Sequence, residues 1–306
     1  MDIREWSLII FTILAQMSVG AFVALVIVHF FVTRKAGVTE ADRMSDRALL
    51  AIGPVLILGL LASLFHLGTP LQAYLAVSNL GTSWLSREIL FGVLFALGGF
   101  IFAIMQWRKF GSLIIRRIMA LITAVLGLAL VYSMSQVYML ETQPAWNTLA
   151  TPISFFVSTF LLGGLAIGAA FVINYSWVKK TDPSCAEVQC ELLRGSLRGI
   201  ALGAVLLLGI EFITTPLLLA YLAGGDAASR ESASLLGSQF ALLQAFRLAL
   251  VFLGAGVLGF FLYANASSTG RERVMGNLAI GAFVLVLAAQ LIGRYVFYAA
   301  HVRIGI

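Results

Sequence analysis

Eight stretches of this sequence, roughly 6–33, 48–66, 88–107, 117–139, 152–177, 199–222, 239–264 and 274–300, are long and apolar enough to cross a lipid bilayer. A spanning helix takes about 20 mostly apolar residues. The stretches tile residues 1–306 as a single membrane domain and leave no room for a soluble one. Only 11% of the residues are charged and 60% are hydrophobic, against roughly a quarter charged in an ordinary soluble domain. A disordered chain needs the opposite composition. A transmembrane barrel alternates with a period of two over about ten residues, and these runs do not. The expected fold is an all-α integral membrane protein, a bundle of eight transmembrane helices. The first run is read as a span rather than a cleavable signal: it is long, follows Arg4 and Glu5, and has no small-x-small cleavage site before the next connection.

Charge sets the expected orientation. The connections after runs 1, 3, 5 and 7 carry Arg34, Lys35, Arg43 and Arg47; Arg108, Lys109, Arg116 and Arg117; Lys179, Lys180, Arg194 and Arg198; and Arg271 and Arg273. The opposite side and the spans that open on it hold only Arg4, Arg87, Arg230, Arg247, Arg294 and Arg303. Basic residues stay cytoplasmic, so both termini are expected to be extracytoplasmic. The net charge of +6 then calls for no nucleic acid. Cys185 and Cys190 fall in a cytoplasmic connection, where a disulfide is disfavoured, and no further Cys is present to complete an iron–sulfur ligand set. No internal repeat stands out, and the many glycines within spans read as close-packing positions.

Polar residues inside a bilayer are expensive and mark function. They gather toward the extracytoplasmic side. His66 closes the second run, Glu88 opens the third, Gln136 and Tyr138 end the fourth, Arg247 lies about two turns inside the seventh, and Gln16 sits deeper in the first. Gln290, Arg294, Tyr298 and His301 are spaced 4, 4 and 3 apart, which places them on one helix face. The cytoplasmic halves are expected to hold nothing comparable apart from an interfacial His29. Arg247 and Arg294 are as compatible with snorkelling to headgroups as with a buried role, and Tyr138 and Tyr298 suit an aromatic belt. Glu211 lies mid-span before Thr214, Thr215 and Pro216. It reads as a hydrogen bonder at a kink, with a proton path as the sharper alternative. A His–Glu pair at the hydrocarbon edge suits proton exchange with a lipophilic redox molecule.

Several segments resemble the membrane anchor subunit of dimethyl sulfoxide reductase. They are Glu5 to Thr12 with Gln16 and Gly20; Ser63 to Pro70 (Ser-Leu-Phe-His-Leu-Gly-Thr-Pro) followed by Asn79-Leu80-Gly81 and Ser86-Arg87-Glu88-Ile89; Pro152 to Phe156; and Leu291 to Tyr298 with His301. The resemblance implies a subunit of the bacterial cytoplasmic membrane that binds and oxidises menaquinol. It would pass electrons to a four-cluster iron–sulfur subunit, and thence to a molybdenum catalytic subunit with a bis-pterin cofactor. The chain itself would hold no haem or metal. The family's quinol-site His and Glu fall on His66 and Glu88. Gln16, Arg87, Arg247, Gln290, Arg294, Tyr298 and His301 are further quinol-binding candidates. The terminal acceptor would be chosen by the catalytic subunit, since related anchors serve other sulfur, selenium and nitrogen oxides. A haem b carrier ligated by His66 and His301 and a secondary transporter are the competing readings. On intact cells, a membrane-impermeant thiol reagent is expected to miss Cys185 and Cys190 and to label Asp226→Cys; the reverse pattern inverts the orientation.

Overall fold

The computed structural model describes residues 3–64, 78–181, 186–268 and 270–304, and no strand occurs among them. Helices α1 (Ile3–Ala36), α2 (Val38–Leu64), α3 (Trp84–Trp107), α4 (Leu113–Tyr138), α5 (Ala150–Thr181) and α6 (Ala186–Ala223) are followed by a short α7 (Ala227–Gly237). A further long rod consists of α8 (Ala241–Val251), a π-helical segment (Phe252–Leu258) and α9 (Gly259–Asn265), and α10 (Glu272–Ala299) closes the chain. Eight of these rods are long and apolar enough to cross a membrane, as the sequence predicts.

The helices outrun the apolar stretches. The second begins at Val38 rather than 48 and the sixth at Ala186 rather than 199, so Arg43, Arg47, Arg194 and Arg198 lie in helices, not connections. Apolar length reports the depth of hydrocarbon; the helix continues into the headgroup layer because its backbone bonds are equally satisfied there. The segment 223–238, expected as a loop, contains α7, whose first turn is capped by Asp226 Oδ1 accepting from the Ser229 amide at 2.7 Å. Helix α6 runs continuously through Pro216. The interruption falls instead in the seventh span, at the π segment. π-turns are rare and concentrate at functional sites.

Helices α1 and α5 form the centre of the bundle. Phe22, Phe155, Phe171, Leu161 and Leu162 are fully buried between them and their neighbours. The α1–α5 crossing is backbone on backbone. A Cβ on Gly20 would lie 1.8 Å from the Thr159 carbonyl oxygen, and one on Gly163 would lie 2.1 Å from the Gly20 carbonyl carbon. Large apolar side chains such as Phe100, Leu121, Leu206 and Phe260 point outward and are mostly exposed, as lipid-facing positions should be.

The two ends of the bundle differ. At the low-charge end, segment 139–149 folds over the helices: Trp146 Nε1 donates to the Phe297 carbonyl at 2.9 Å, and the Ile304 amide donates to the Thr142 carbonyl at 2.8 Å. The basic end departs from expectation, because it too holds a buried polar network. Asp42 accepts from His29 Nε2 (2.9 Å) and Gln106 Nε2 (2.5 Å), and pairs with Lys109 Nζ (2.8 Å) and Arg116 (3.7 Å). Asn174 accepts from Arg47 and donates to the carbonyls of Arg43 and Met44. His29 is therefore a hydrogen-bonded member of a network and not an isolated interfacial residue. The acids Asp42 and Asp46 precede the apolar run of α2 and read as loop charges in the sequence.

Gly163→Ala is expected to push α1 from α5 and to destabilise the purified chain by about 1–3 kcal/mol, the usual cost of overpacking. A control, Gly99→Ala, meets nothing within 4 Å and should melt with the parent. Equal melting of all three proteins in one detergent would contradict the crossing.

Candidate functional site

Helix α10 organises the low-charge end. Gln290, Arg294 and Tyr298 of the predicted stripe lie on α10, whereas His301 falls beyond the helix end at Ala299, so one helix face does not carry all four; the structure divides them between two neighbouring compartments. One is a cavity of about 130 Å³ among α5, α6, α8 and α10, lined in part by Gln290, Arg294, His301, Glu211 and Arg247. The other is an aromatic compartment in which Tyr298 and Tyr138 share a hydrogen bond at 2.6 Å.

In the cavity Glu211 forms a buried ion pair with Arg247. Gln290 Nε2 donates to Glu211 Oε2 at 3.2 Å, and Gln290 Oε1 accepts from Ser158 Oγ at 2.7 Å. Three helices thus hold one carboxylate, and Arg247 is committed to it rather than to headgroups. The pair has room because residue 293 is glycine: a Cβ there would lie 2.4 Å from Arg247 Nε. Sequence reading missed Gly293 as a site residue, although it sits beside Arg294 in the motif. Thr214 and Thr215 bond to the carbonyls of Ile210 and Glu211 one turn back (2.7 and 2.9 Å). This lets hydroxyls share the backbone bonding next to Pro216.

Arg294 is 4% exposed, so it does not snorkel. It donates to Gln16 Oε1 at 3.1 Å, and its guanidinium carbon stands 3.9 Å over the Phe155 ring. Among the described residues it pairs with no carboxylate, and Arg294 Nε and Gln16 Nε2 are buried donors without an acceptor. A cation over an aromatic face is stabilised by the ring quadrupole, but a buried guanidinium without an anion still carries a desolvation cost.

Tyr138 and Tyr298 sit within a cluster of rings. Trp146 stacks on Phe297 at 5.2 Å and on His301 at 4.3 Å, and both tyrosines pack edge-on against its neighbours. His301 Nδ1 is bonded to the Tyr298 carbonyl at 2.6 Å. Glu88 lies one helix away, 8% exposed, with no ion pair among the described residues. Glu88 and Arg294 form no ion pair with each other.

The remaining candidates fall elsewhere. Arg87, next to Glu88 in sequence, turns away: it donates to the carbonyls of Leu80 (2.9 Å) and Gly81 (2.7 Å) and stacks on Trp84. His66, the residues that follow it to 77, and Cys185 lie outside the described residues. Cys190 is half-buried and bonds to Glu272 at 3.3 Å. Among the described residues no cluster of three His, Cys, Asp or Glu has metal-binding proximity.

The chain matches the family model described as the DMSO reductase anchor subunit (DmsC) over residues 1–300. It is 29% identical over 304 residues to the YnfH chain of an anaerobic dimethyl sulfoxide reductase of Escherichia coli, covering 99% of this protein and 96% of that one. It is also 29% identical over 303 residues to a chain of the anaerobic dimethyl sulfoxide reductase of Haemophilus influenzae, covering 98% and 96%. A shorter match, 29% over 182 residues, reaches a sulfite dehydrogenase subunit of Allochromatium vinosum and covers 56% of this protein and 54% of that one. With a full-length match and eight membrane-spanning helices, this chain belongs to the DMSO reductase anchor subunit family.

Proposed function

We propose that this anchor binds and oxidises menaquinol at the low-charge end of the bundle and passes the electrons to an iron–sulfur subunit docked on that end. That subunit would feed a molybdopterin catalytic subunit, and the complex would sit in the bacterial cytoplasmic membrane with both termini of this chain outside. The observation that carries the reading is a pair of buried ionisable groups without an ionic partner among the described residues, Glu88 and Arg294, at the end of the bundle that holds the Tyr138–Tyr298 hydrogen bond. A purely structural site would neutralise them against each other. A quinol site needs them apart.

The chemistry follows from balance. A quinol becomes a quinone by losing two electrons and two protons, so each hydroxyl needs a proton acceptor within hydrogen-bond reach. The family resemblance gives the first role to His66, whose neutral imidazole is available near neutral pH. Glu88 favours the imidazolium and relays the proton to outer water. Arg294, with its donor Nε and the Gln16 amide, stabilises the quinol oxygen that gains negative charge as its proton leaves. Wherever protons and electrons leave on the same side, no charge crosses the bilayer.

Glu88→Gln and His66→Phe are expected to assemble with their partners and to leave activity from an artificial soluble donor intact. Quinol-dependent turnover should fall by about two orders of magnitude or more, the scale of lost acid–base catalysis. Parental quinol oxidation in either variant would reduce that residue to a structural hydrogen bonder and move the site to Arg294 and Tyr298.

Glu211 is assigned a structural role through its pair with Arg247. Removing one partner of a buried pair costs about 3–5 kcal/mol. Glu211→Gln should therefore destabilise the chain, and Glu211→Gln with Arg247→Gln should recover most of the loss. Quinol oxidation in liposomes should generate no membrane potential in any of these proteins. A potential present in the parent and lost in the double variant would instead make Glu211 a proton carrier.

A further inference from the structure

At the basic end, a second cavity of about 490 Å³ opens between α1 and α4. Its volume falls within the range of sites that take small amphiphiles. Its deeper walls are apolar, formed by residues such as Leu25, Leu49, Phe102 and Ala120, and its side facing the bilayer is framed by the exposed Ile27, Phe31 and Leu121. Its mouth is polar. Three buried donors there have no hydrogen-bond acceptor: Ser45 Oγ, Arg116 Nε and Arg117 Nε. Ser45 is 2% exposed and Arg116 is 9% exposed, so water cannot easily serve these atoms.

The charges at the mouth do not cancel. Asp42 and Asp46 are taken up by Lys109, Arg116 and Gln106. Arg117 and Arg34 pair with no carboxylate among the described residues, and both stack on one ring, Phe30, at 5.7 and 4.4 Å. One uncommitted guanidinium, Arg117, thus lines an apolar slot, and a second, the exposed Arg34, stands at its rim over Phe30, beside buried donors lacking an acceptor. Arg116 and Arg117 occupy the first turn of α4 and Arg34 the last turn of α1, the level of the lipid headgroups.

We infer that the groove between α1 and α4 is a binding site for an anionic phospholipid, its phosphate held by Arg34, Arg117 and Ser45 and an acyl chain laid along the slot. A quinone ring would use the donors but leave both guanidiniums uncompensated. A free phosphate would use the guanidiniums but leave the slot unfilled. Only a molecule with an anion at the headgroup level and a hydrocarbon tail matches both. The assignment is independent of the quinol reading and concerns the opposite end of the bundle.

The test uses the full chain in phosphatidylcholine vesicles with a trace of spin-labelled phosphatidylglycerol or, separately, spin-labelled phosphatidylcholine. The parent should immobilise phosphatidylglycerol in preference. That preference should fall about fivefold for each guanidinium removed, the effect of one basic residue on an anionic lipid, in Arg34→Gln and Arg117→Gln. Arg108→Gln, a basic residue of the same end that stacks on Trp107, a ring that does not line the groove as Phe30 does, should leave it unchanged. Arg117→Lys keeps the charge and guards against a misfolded variant by retaining part of the preference. An equal fall in Arg108→Gln would reduce the effect to general surface charge and overturn the site. So would equal immobilisation of both lipids in the parent, as expected if a second copy covered the groove. Displacement of the lipid by inorganic phosphate or by a short-chain quinone analogue would likewise overturn it.

Discussion

At the crossing of α1 and α5 the two backbones touch at Gly20 and Gly163, and much of the low-charge end depends on that approach. Membrane helices gain nothing from burying apolar surface against each other, because lipid is equally apolar. Close backbone contact and interhelical hydrogen bonds must hold them. Seating α1 directly on α5 brings Gln16 within bonding distance of Arg294 and sets the Phe155 face under the same guanidinium. It also aligns Ser158, one turn from the crossing, with Gln290. A side chain as small as alanine's at either glycine would separate α1 from α5 and pull this shell apart.

The bundle handles charge in three ways. Glu211 and Arg247 neutralise each other inside the membrane, with Gln290 filling the remaining lone pairs. At the basic end, Asp42 is surrounded by donors from α1, α3 and α4, and it fastens those helices where they enter the headgroups. Glu88 and Arg294 follow neither pattern. Each is buried, and each lacks an opposite partner among the described residues. In the proposed reading, they are the groups left available to a substrate whose own protonation changes.

The sequence made the spans legible because apolar length is an almost direct measure of bilayer thickness. It also made Gln290, Arg294 and Tyr298 legible as one stripe of α10, since spacings of 4 and 4 have a helical reading, whereas His301, three residues on, lies past the helix end. Spacing alone did not show that Tyr298 would turn toward Tyr138 while Gln290 and His301 lined the cavity. The Glu211–Arg247 pair was out of reach, because it joins residues on separate helices whose relative depth no local pattern encodes. Asp42 was hidden for a different reason: it lies ahead of its apolar run, where a charge ordinarily belongs to water. Arg87 misled through adjacency, since its neighbour Glu88 faces inward while its own guanidinium closes back on Leu80 and Gly81.

The π segment at Phe252–Leu258 acts as a phase shift in the seventh span. Widening a helix by one residue rotates everything beyond it by about 100° relative to a regular continuation. Arg247, before the shift, faces α6 and α10 at the depth of Glu211, while Tyr263, after it, meets Arg198 of α6 at the basic end. Without the extra residue one of these two contacts would point into lipid. The span therefore serves two networks with different angular settings, and its length in residues is as constrained as its composition.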